Sequence, residues 1–159
     1  MGKIASINVS KKKRIPKKPT DEAVLVPGQG IKGDAHAAPG DRQLSLLMLE
    51  SIERQKNAVK EKLAEDAAEG HPGKTVELIP GIYAENLTTE GIDLTALRLG
   101  DSLKVGRNTR LRVSKIGKEC HTKCAIYTLV GDCVMPREGI FCEVVQGGTI
   151  RPGDNIERC

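Results

Sequence analysis

The spacing of apolar residues along this chain changes period twice. From Lys3 to Ser10, Ile4, Ile7 and Val9 read as a first strand, and Ala23 to Val26 as the next. Arg42-Gln43-Leu44-Ser45 reads as extended. From Leu46 the apolar positions Leu46, Leu49, Ile52, Val59 and Leu63 fall at helical spacing, with Glu50, Glu53, Arg54, Lys60 and Glu61 between them. This predicts one long amphipathic helix, ended by Gly70 and Pro72 because proline cannot continue the hydrogen-bond ladder and disfavours helix in the residue before it. Its charged half, Lys56 to Glu69, has few apolar anchors and is expected to fray.

From Val76 onward the period is two. Short β-branched segments around Val76 to Ile79, Leu97 to Val105, Thr109 to Ile116, Gly139 to Val145 and Thr149 to Glu157 are separated by Gly, Asn and Asp. That pattern predicts an antiparallel barrel or sandwich, so the expected fold is mainly β and barrel-like, with one long amphipathic helix and short helices. Leu99-Gly100-Asp101-Ser102-Leu103 recurs in shape as Pro152-Gly153-Asp154-Asn155-Ile156, each a Gly-Asp turn leading into an alternating strand.

Four connecting stretches carry candidate chemistry. Lys11 to Pro19 holds two prolines among six basic residues and reads as a loop, either a solvated charge run or a phosphate-attracting lip over a pocket. Gly28-Gln29-Gly30-Ile31-Lys32-Gly33-Asp34-Ala35-His36-Ala37 is rich enough in glycine for backbone to approach a ligand. It lacks the Gly-Lys-Ser/Thr ending of a nucleotide phosphate loop, and Asp34 and His36 are either ligands or turn residues. Glu85 to Ile92 reads as a polar loop offering the Asn86 amide and the Thr88 hydroxyl. Gly131 to Gly139 reads as a second rigid loop, carrying Arg137.

The densest stretch is Gly117-Lys118-Glu119-Cys120-His121-Thr122-Lys123-Cys124. Positive charge from Lys118, Lys123 and a protonated His121 favours the thiolate, the form that attacks sulfur or binds a soft metal. Cys120 lies nearer the predicted strand Thr109 to Ile116, whereas Cys124 runs into the apolar Ala125-Ile126-Tyr127 segment. The reactive thiol is therefore assigned to Cys120 and a shielded or resolving role to Cys124. A zinc module using Cys120, Cys124 and Cys133 competes with this reading. However, His121 directly after the first Cys has little room to join the same ion, and no distant Cys-x-x-Cys pair completes the set.

Composition narrows the function classes. With 159 residues and 38% hydrophobic content the chain suits a single domain, 1–159, and its 2% aromatic share requires an aliphatic core. One Phe, two Tyr and no Trp leave almost no stacking platform, which argues against nucleic acid, while a net charge of +4 suits an anionic ligand carrying phosphate. No run of apolar residues is long enough for a membrane helix, and the start lacks a secretory core, so a cytoplasmic location is expected. Met1-Gly2-Lys3-Ile4-Ala5-Ser6 fits a loose myristoylation pattern, but it is better read as strand. Five cysteines, an odd number, predict reduced thiols.

Taken in order, Gly30 to Ala37, Arg42 to Leu47, Ala84 to Gly91, Gly117 to His121 and Gly147 to Asp154 resemble the MOSC domain, named for the C-terminal part of molybdenum cofactor sulfurase. The match runs nearly end to end and is similar to the compact stand-alone bacterial members. The resemblance implies a β-barrel-like fold, a molybdopterin-type cofactor, and an essential cysteine that carries sulfur or contacts the metal, which by position is Cys120. It also implies cofactor contacts among Gly33, Asp34, His36, Arg42, Gln43, Asn86, Thr88, Lys118, His121 and Arg137. A cysteine desulfurase or a molybdoenzyme client is the implied protein partner, because the chain has no pyridoxal-phosphate domain to generate sulfur itself. Pure binding, sulfur transfer and molybdenum-dependent catalysis all remain open from sequence.

Overall fold

The computed structural model describes residues 2–13, 15–70, 78–117 and 134–159. In chain order the strands are β1 (Gly2–Val9), β2 (Lys18–Thr20), β3 (Ala23–Val26), β4 (Gly30–Ile31), β5 (Leu44–Met48), β6 (Leu87–Glu90), β7 (Ser102–Val105), β8 (Thr109–Ile116), β9 (Ile140–Gln146), β10 (Gly148–Ile150) and β11 (Asn155–Arg158). Among the described residues the helices are α1 (Leu49–Ala68) and α2 (Val134–Glu138), with a 3-10 turn at Leu94–Ala96.

Strands β11, β7, β8, β9, β5, β6 and β1 hydrogen-bond in that order, and β1 pairs back onto β11, which closes a seven-strand barrel. Closure removes the free sheet edges that invite aggregation. Strand β2 pairs with the outer part of β1, and β10, β3 and β4 form a small second sheet. Neighbouring barrel strands run antiparallel except β5 and β6, which are parallel because α1 carries the chain back across between them. The barrel interior is aliphatic, with Ile4, Leu44, Leu46, Leu87, Leu103, Leu111, Ile140 and Ile156 almost fully buried.

Two sequence expectations change. Leu46 to Met48 belongs to a strand, and the helix begins at Leu49. All five residues of β5 are buried, because Leu44 and Leu46 face the barrel interior while Leu47 meets Ile52 and Val59 of α1 on the outside. A strand covered on both faces loses the alternation that marks a strand, and its apolar run merged with the helical pattern that follows. The second change is Glu85 to Ile92, expected as a polar loop. Its central part is strand β6, and Thr88 and Thr89 are fully buried.

The repeated Gly-Asp turn is geometric as well as sequential. Gly100 and Gly153 have φ of 88° and 93°, the left-handed region that favours glycine. Asp101 Oδ2 accepts the Arg98 N–H at 2.9 Å, and Asp154 Oδ2 accepts the Arg151 N–H at 2.8 Å. The two turns launch β7 and β11, which pair with each other. The expectation at Val76 to Ile79 lies partly outside the described residues, and Leu78 and Ile79 are not strand. Among the described residues no helix is long and apolar enough to cross a membrane.

Candidate binding cleft

The cleft lies where the loop after β4 crosses the start of β5. Gly30 has a φ of 123°, and a Cβ there would collide with the Gln43 carbonyl, so the loop packs onto β5 backbone to backbone. Gln43 is buried and spends its amide on this junction, donating to the Gly40 carbonyl at 3.0 Å and accepting the Val144 N–H at 2.9 Å. The pinned glutamine fixes its neighbour Arg42, whose exposed guanidinium lies over the Phe141 ring at 5.8 Å, a cation–π contact. Phe141 pairs in register with Ser45 on one side and Lys115 on the other, so three strands converge here.

A narrow recess of about 50 Å³ is lined by His36, Arg42, Ser45, Ala84, Asn86 and Phe141. It adjoins a wider cleft of about 480 Å³ that adds Lys13, Ala38, Pro39, Gly40 and Asp41. No carboxylate among the described residues pairs with Arg42, so a full cation faces this space. Residues of the recess belong to β5, β9 and the two loops beside them, elements locked into the barrel wall. That is the arrangement that holds polar groups still for a ligand.

Beneath the cleft lies a buried ion pair that the sequence did not reveal. Lys17, expected as part of a loop of surface charge, has a fully buried side chain whose ammonium meets Asp34 Oδ1 at 2.8 Å. Burial pushes the Asp34 carboxyl up, but the hydrogen bond from Lys17, the Ser10 N–H, the charge of Lys17 and the His36 N–H together outweigh it and hold the group below its ordinary value. Asp34 is thus engaged within the protein, while His36 extends into the cleft. Nothing in the sequence distinguishes Lys17 from Lys18, since both sit in one basic run.

The recess floor is a second polar network. Asn86 Oδ1 accepts the Ser45 N–H at 3.0 Å, its amide donates to the Asn8 carbonyl at 3.2 Å, and Thr88 accepts from Asn8 and donates to Glu85 Oε2 at 2.7 Å. Asn86 and Thr88 therefore use their polar atoms internally. Ala84, between this network and the cleft, holds a φ of 60°, unusual for a residue with a Cβ. Burial pushes the Glu85 carboxyl up despite hydrogen bonds from neighbouring backbone and Thr88. A carboxyl with a raised folded pKa favours folding below its unfolded pKa, and that contribution is lost as pH rises through the folded one. Glu85→Gln is accordingly expected to melt higher than the parent at pH ~8, with the gain shrinking toward pH ~4, close to the carboxylate's ordinary range. Equal melting temperatures at both pH values would show that Glu85 carries no such cost.

The remaining candidates are dispersed. Gly33 lies at the edge of a different, largely apolar cleft of about 650 Å³ with Val9, Ile15, Val24, Ile31 and Lys32. Arg137, on α2, is exposed beside Glu138 at 3.6 Å, and Glu138 also receives Arg54 and the Ser51 hydroxyl from α1. Of the described cysteines, Cys142 is buried and its thiol pKa is pushed far up by burial and the Glu143 charge, while Cys159 is exposed. Lys118, Cys120, His121, Cys124 and Cys133 lie outside the described residues. Their flanks are described: Gly117 donates its N–H to the Gly139 carbonyl at 2.7 Å, and Ser114 donates its hydroxyl to the Asp41 carbonyl at 2.7 Å, tying the end of β8 to the cleft rim.

Fold and cleft together define a small closed β-barrel whose cationic recess opens at one junction of the wall, beside the end of β8. The chain belongs to the MOSC domain family, whose model matches residues 32–157. Among solved structures it is similar to the YuaD protein from Bacillus subtilis at 21% identity, with a TM-score of 0.71 over 98% of this chain and 94% of that one. YiiM from Geobacillus stearothermophilus is 20% identical, with a TM-score of 0.61 over 100% and 75% of the two chains. YiiM from Escherichia coli is 18% identical, with a TM-score of 0.66 over 100% and 70%. At these identities the likeness concerns the fold. No curated protein matches the chain in sequence.

Proposed function

We propose that this protein binds a molybdopterin-type cofactor in the His36–Arg42 cleft and acts in its sulfuration, with Cys120 as sulfur acceptor or metal ligand. The observation that carries the reading is the Arg42 guanidinium, left without a carboxylate partner among the described residues, held by Gln43 and Phe141 at the mouth of a polar recess in a MOSC domain. A planar guanidinium suits phosphate oxygens through paired, charge-assisted hydrogen bonds, and Lys13 adds a second cation to the same cleft.

The cofactor brings a soft metal and a phosphate arm. The residues fit the arm: Arg42 and Lys13 neutralise it, His36 orients it, and Phe141 closes one wall. In this reading contact with the metal or with transferable sulfur is the role of Cys120, which lies outside the described residues, because a thiolate is a soft ligand. Cys120 follows Gly117 by three positions in the sequence. As acceptor, the Cys120 thiolate attacks the outer sulfur of a donor persulfide. The donor S–S bond breaks, the donor leaves as a thiolate, and Cys120 carries the sulfur. A cysteine desulfurase suits the donor role and a molybdoenzyme the client role.

The test is native mass spectrometry of protein made in a host that synthesises the cofactor, with Arg42→Gln and Cys120→Ser beside it. Wild type should carry the cofactor mass. Arg42→Gln should bind it about 1.5 to 3 kcal/mol more weakly, the range of a hydrogen bond to a charged group, with the melting temperature nearly unchanged because Arg42 is exposed. Cofactor retention unaltered in both variants would remove the cleft and the thiol from the reading.

A further inference from the structure

We propose that the apolar groove between β2 and β4 docks a short segment of a partner protein, one that lays apolar side chains on the groove floor and carries Asp or Glu against the lysines around it.

The groove lies between two strands that end their sheets. Strand β2 is the last of the barrel sheet and β4 the last of the small sheet, while β3 follows β2 in the chain and pairs with β4. Its volume of about 650 Å³ falls within the range of ligand clefts, roughly 300–1,000 Å³. Val9, Ala23 and Ile31 line it, the last two buried, and Ile15 and Val24 line it while remaining 45% and 44% exposed. Val24 holds the outward position of a strand whose neighbours Ala23 and Leu25 are buried, a position that carries a polar side chain when the face meets only water.

Three exposed cations border this apolar surface: Lys11 shortly after β1, Lys18 within β2, and Lys32 directly after β4. Among the described residues no carboxylate pairs with any of them. Glu22, which also lines the groove, is engaged by Arg151 at 3.1 Å. The complement of such a surface is apolar and acidic.

Charge and shape select the occupant. A second copy of this chain carries the same net charge of +4 and would be repelled by the lysines. Extension of the sheet along β2 gains little, because Pro19, the middle of its three residues, has no N–H to offer. Recognition therefore runs through side chains. A flat anionic bilayer would reach the lysines but not the buried Ala23 and Ile31, and the exposed Asp21 and Glu22 between β2 and β3 would oppose its phosphates. A chain segment enters the groove and satisfies both the floor and the cations. The groove shares no described lining residue with the His36–Arg42 cleft, so the proposal stands apart from cofactor binding. The two sites do share a wall, where the Ala35 N–H donates to the Ser10 carbonyl at 2.8 Å, and a partner docked in the groove stands beside the cleft.

The test is to pan a library of short random peptides, displayed on phage, against the full-length wild-type protein at low ionic strength. Peptides that combine Leu, Ile, Val or Phe with Asp or Glu should be enriched. A synthetic copy of the enriched peptide should bind with micromolar Kd, as suits so small an interface, and more weakly as salt is added. In NMR it should shift the backbone amides of Lys18, Val24 and Lys32 and leave those of Arg42 and Phe141 in place. Lys32→Glu should weaken it about tenfold or more, since like charges then face each other. Ile15→Ser combined with Val24→Thr should weaken it several-fold through the lost apolar contact. All three positions are exposed, so melting temperatures should stay nearly unchanged. The proposal is overturned by a library that yields no enriched peptide, by an enriched peptide that shifts other residues instead, or by a peptide of Asp and Glu alone that binds equally well. Vesicles of equal parts phosphatidylcholine and phosphatidylserine are the second probe. Vesicle binding that the Ile15→Ser, Val24→Thr variant loses, with no peptide enriched, would assign the surface to a bilayer and overturn the proposal.

Discussion

Replacing Lys17 with methionine is expected to cost about 3 to 5 kcal/mol of folding free energy, the range for breaking a buried ion pair from one side. The cause is Asp34. Its carboxylate is fully buried, and without the ammonium it would have only backbone N–H donors, from Ser10 and His36, against the cost of desolvation. Guanidinium denaturation of the variant measures the loss, and adding Asp34→Asn in the same chain should recover most of it by removing the stranded charge. The pH dependence follows from the lowered Asp34 pKa. A carboxylate with a depressed folded pKa contributes stability above its unfolded value, 3.8, and loses it as pH falls through the folded one. The gap between wild type and Lys17→Met should therefore be widest near neutrality and narrow in acid, where Asp34 is protonated in both. A gap under about 1 kcal/mol at neutral pH, the size of a surface pair, would mean that the pair is not buried in solution.

Gly81→Ala should be nearly as damaging, by about 3 kcal/mol or more, for a reason no side-chain contact reveals. Gly81 holds a φ of 93°, and a Cβ on it would run into the carbonyl of Lys17. Its own carbonyl accepts the Lys17 N–H at 2.8 Å. An alanine must strain the backbone and also push away Lys17, the residue whose ammonium pairs with the buried Asp34. Gly153 separates the two costs: it has the same φ of 93° and nothing within 4 Å of the added carbon. Gly153→Ala should lose only the conformational term, about 1 to 2 kcal/mol. Equal losses at the two positions would show that conformation alone, without the clash, accounts for Gly81.

Barrel strands were legible wherever one face meets the core and the other meets water. In β8, Thr109, Leu111 and Val113 are buried while Arg110 and Arg112 are exposed, and this alternation is in the sequence. The Gly-Asp turns were legible too, because a glycine at positive φ followed by a capping aspartate is local chemistry that needs no distant partner. Arg42 was placed as a candidate by family resemblance, and the structure sets it at a cleft. Asp34, Gln43, Asn86 and Thr88 came from the same motifs, and the structure turns their polar atoms inward.

What the sequence determined by itself is everything carried by short-range periodicity and turn chemistry: a mainly β chain with an aliphatic core, a single long helix, and the repeated turns that start β7 and β11. What only the tertiary structure decided depends on partners distant along the chain. Strand β5 lost its alternation because α1 covers its outer face, and β6 looked like a loop because Asn8, eighty positions away, satisfies Thr88. Lys17 turned from surface charge into a buried pivot because Ser10, after β1, and Asp34 and His36, in the loop after β4, converge on it. A local pattern cannot encode such convergence. Whether a polar residue is solvated or buried is set by which partners the closed barrel brings to it, since a buried polar group without a partner costs stability.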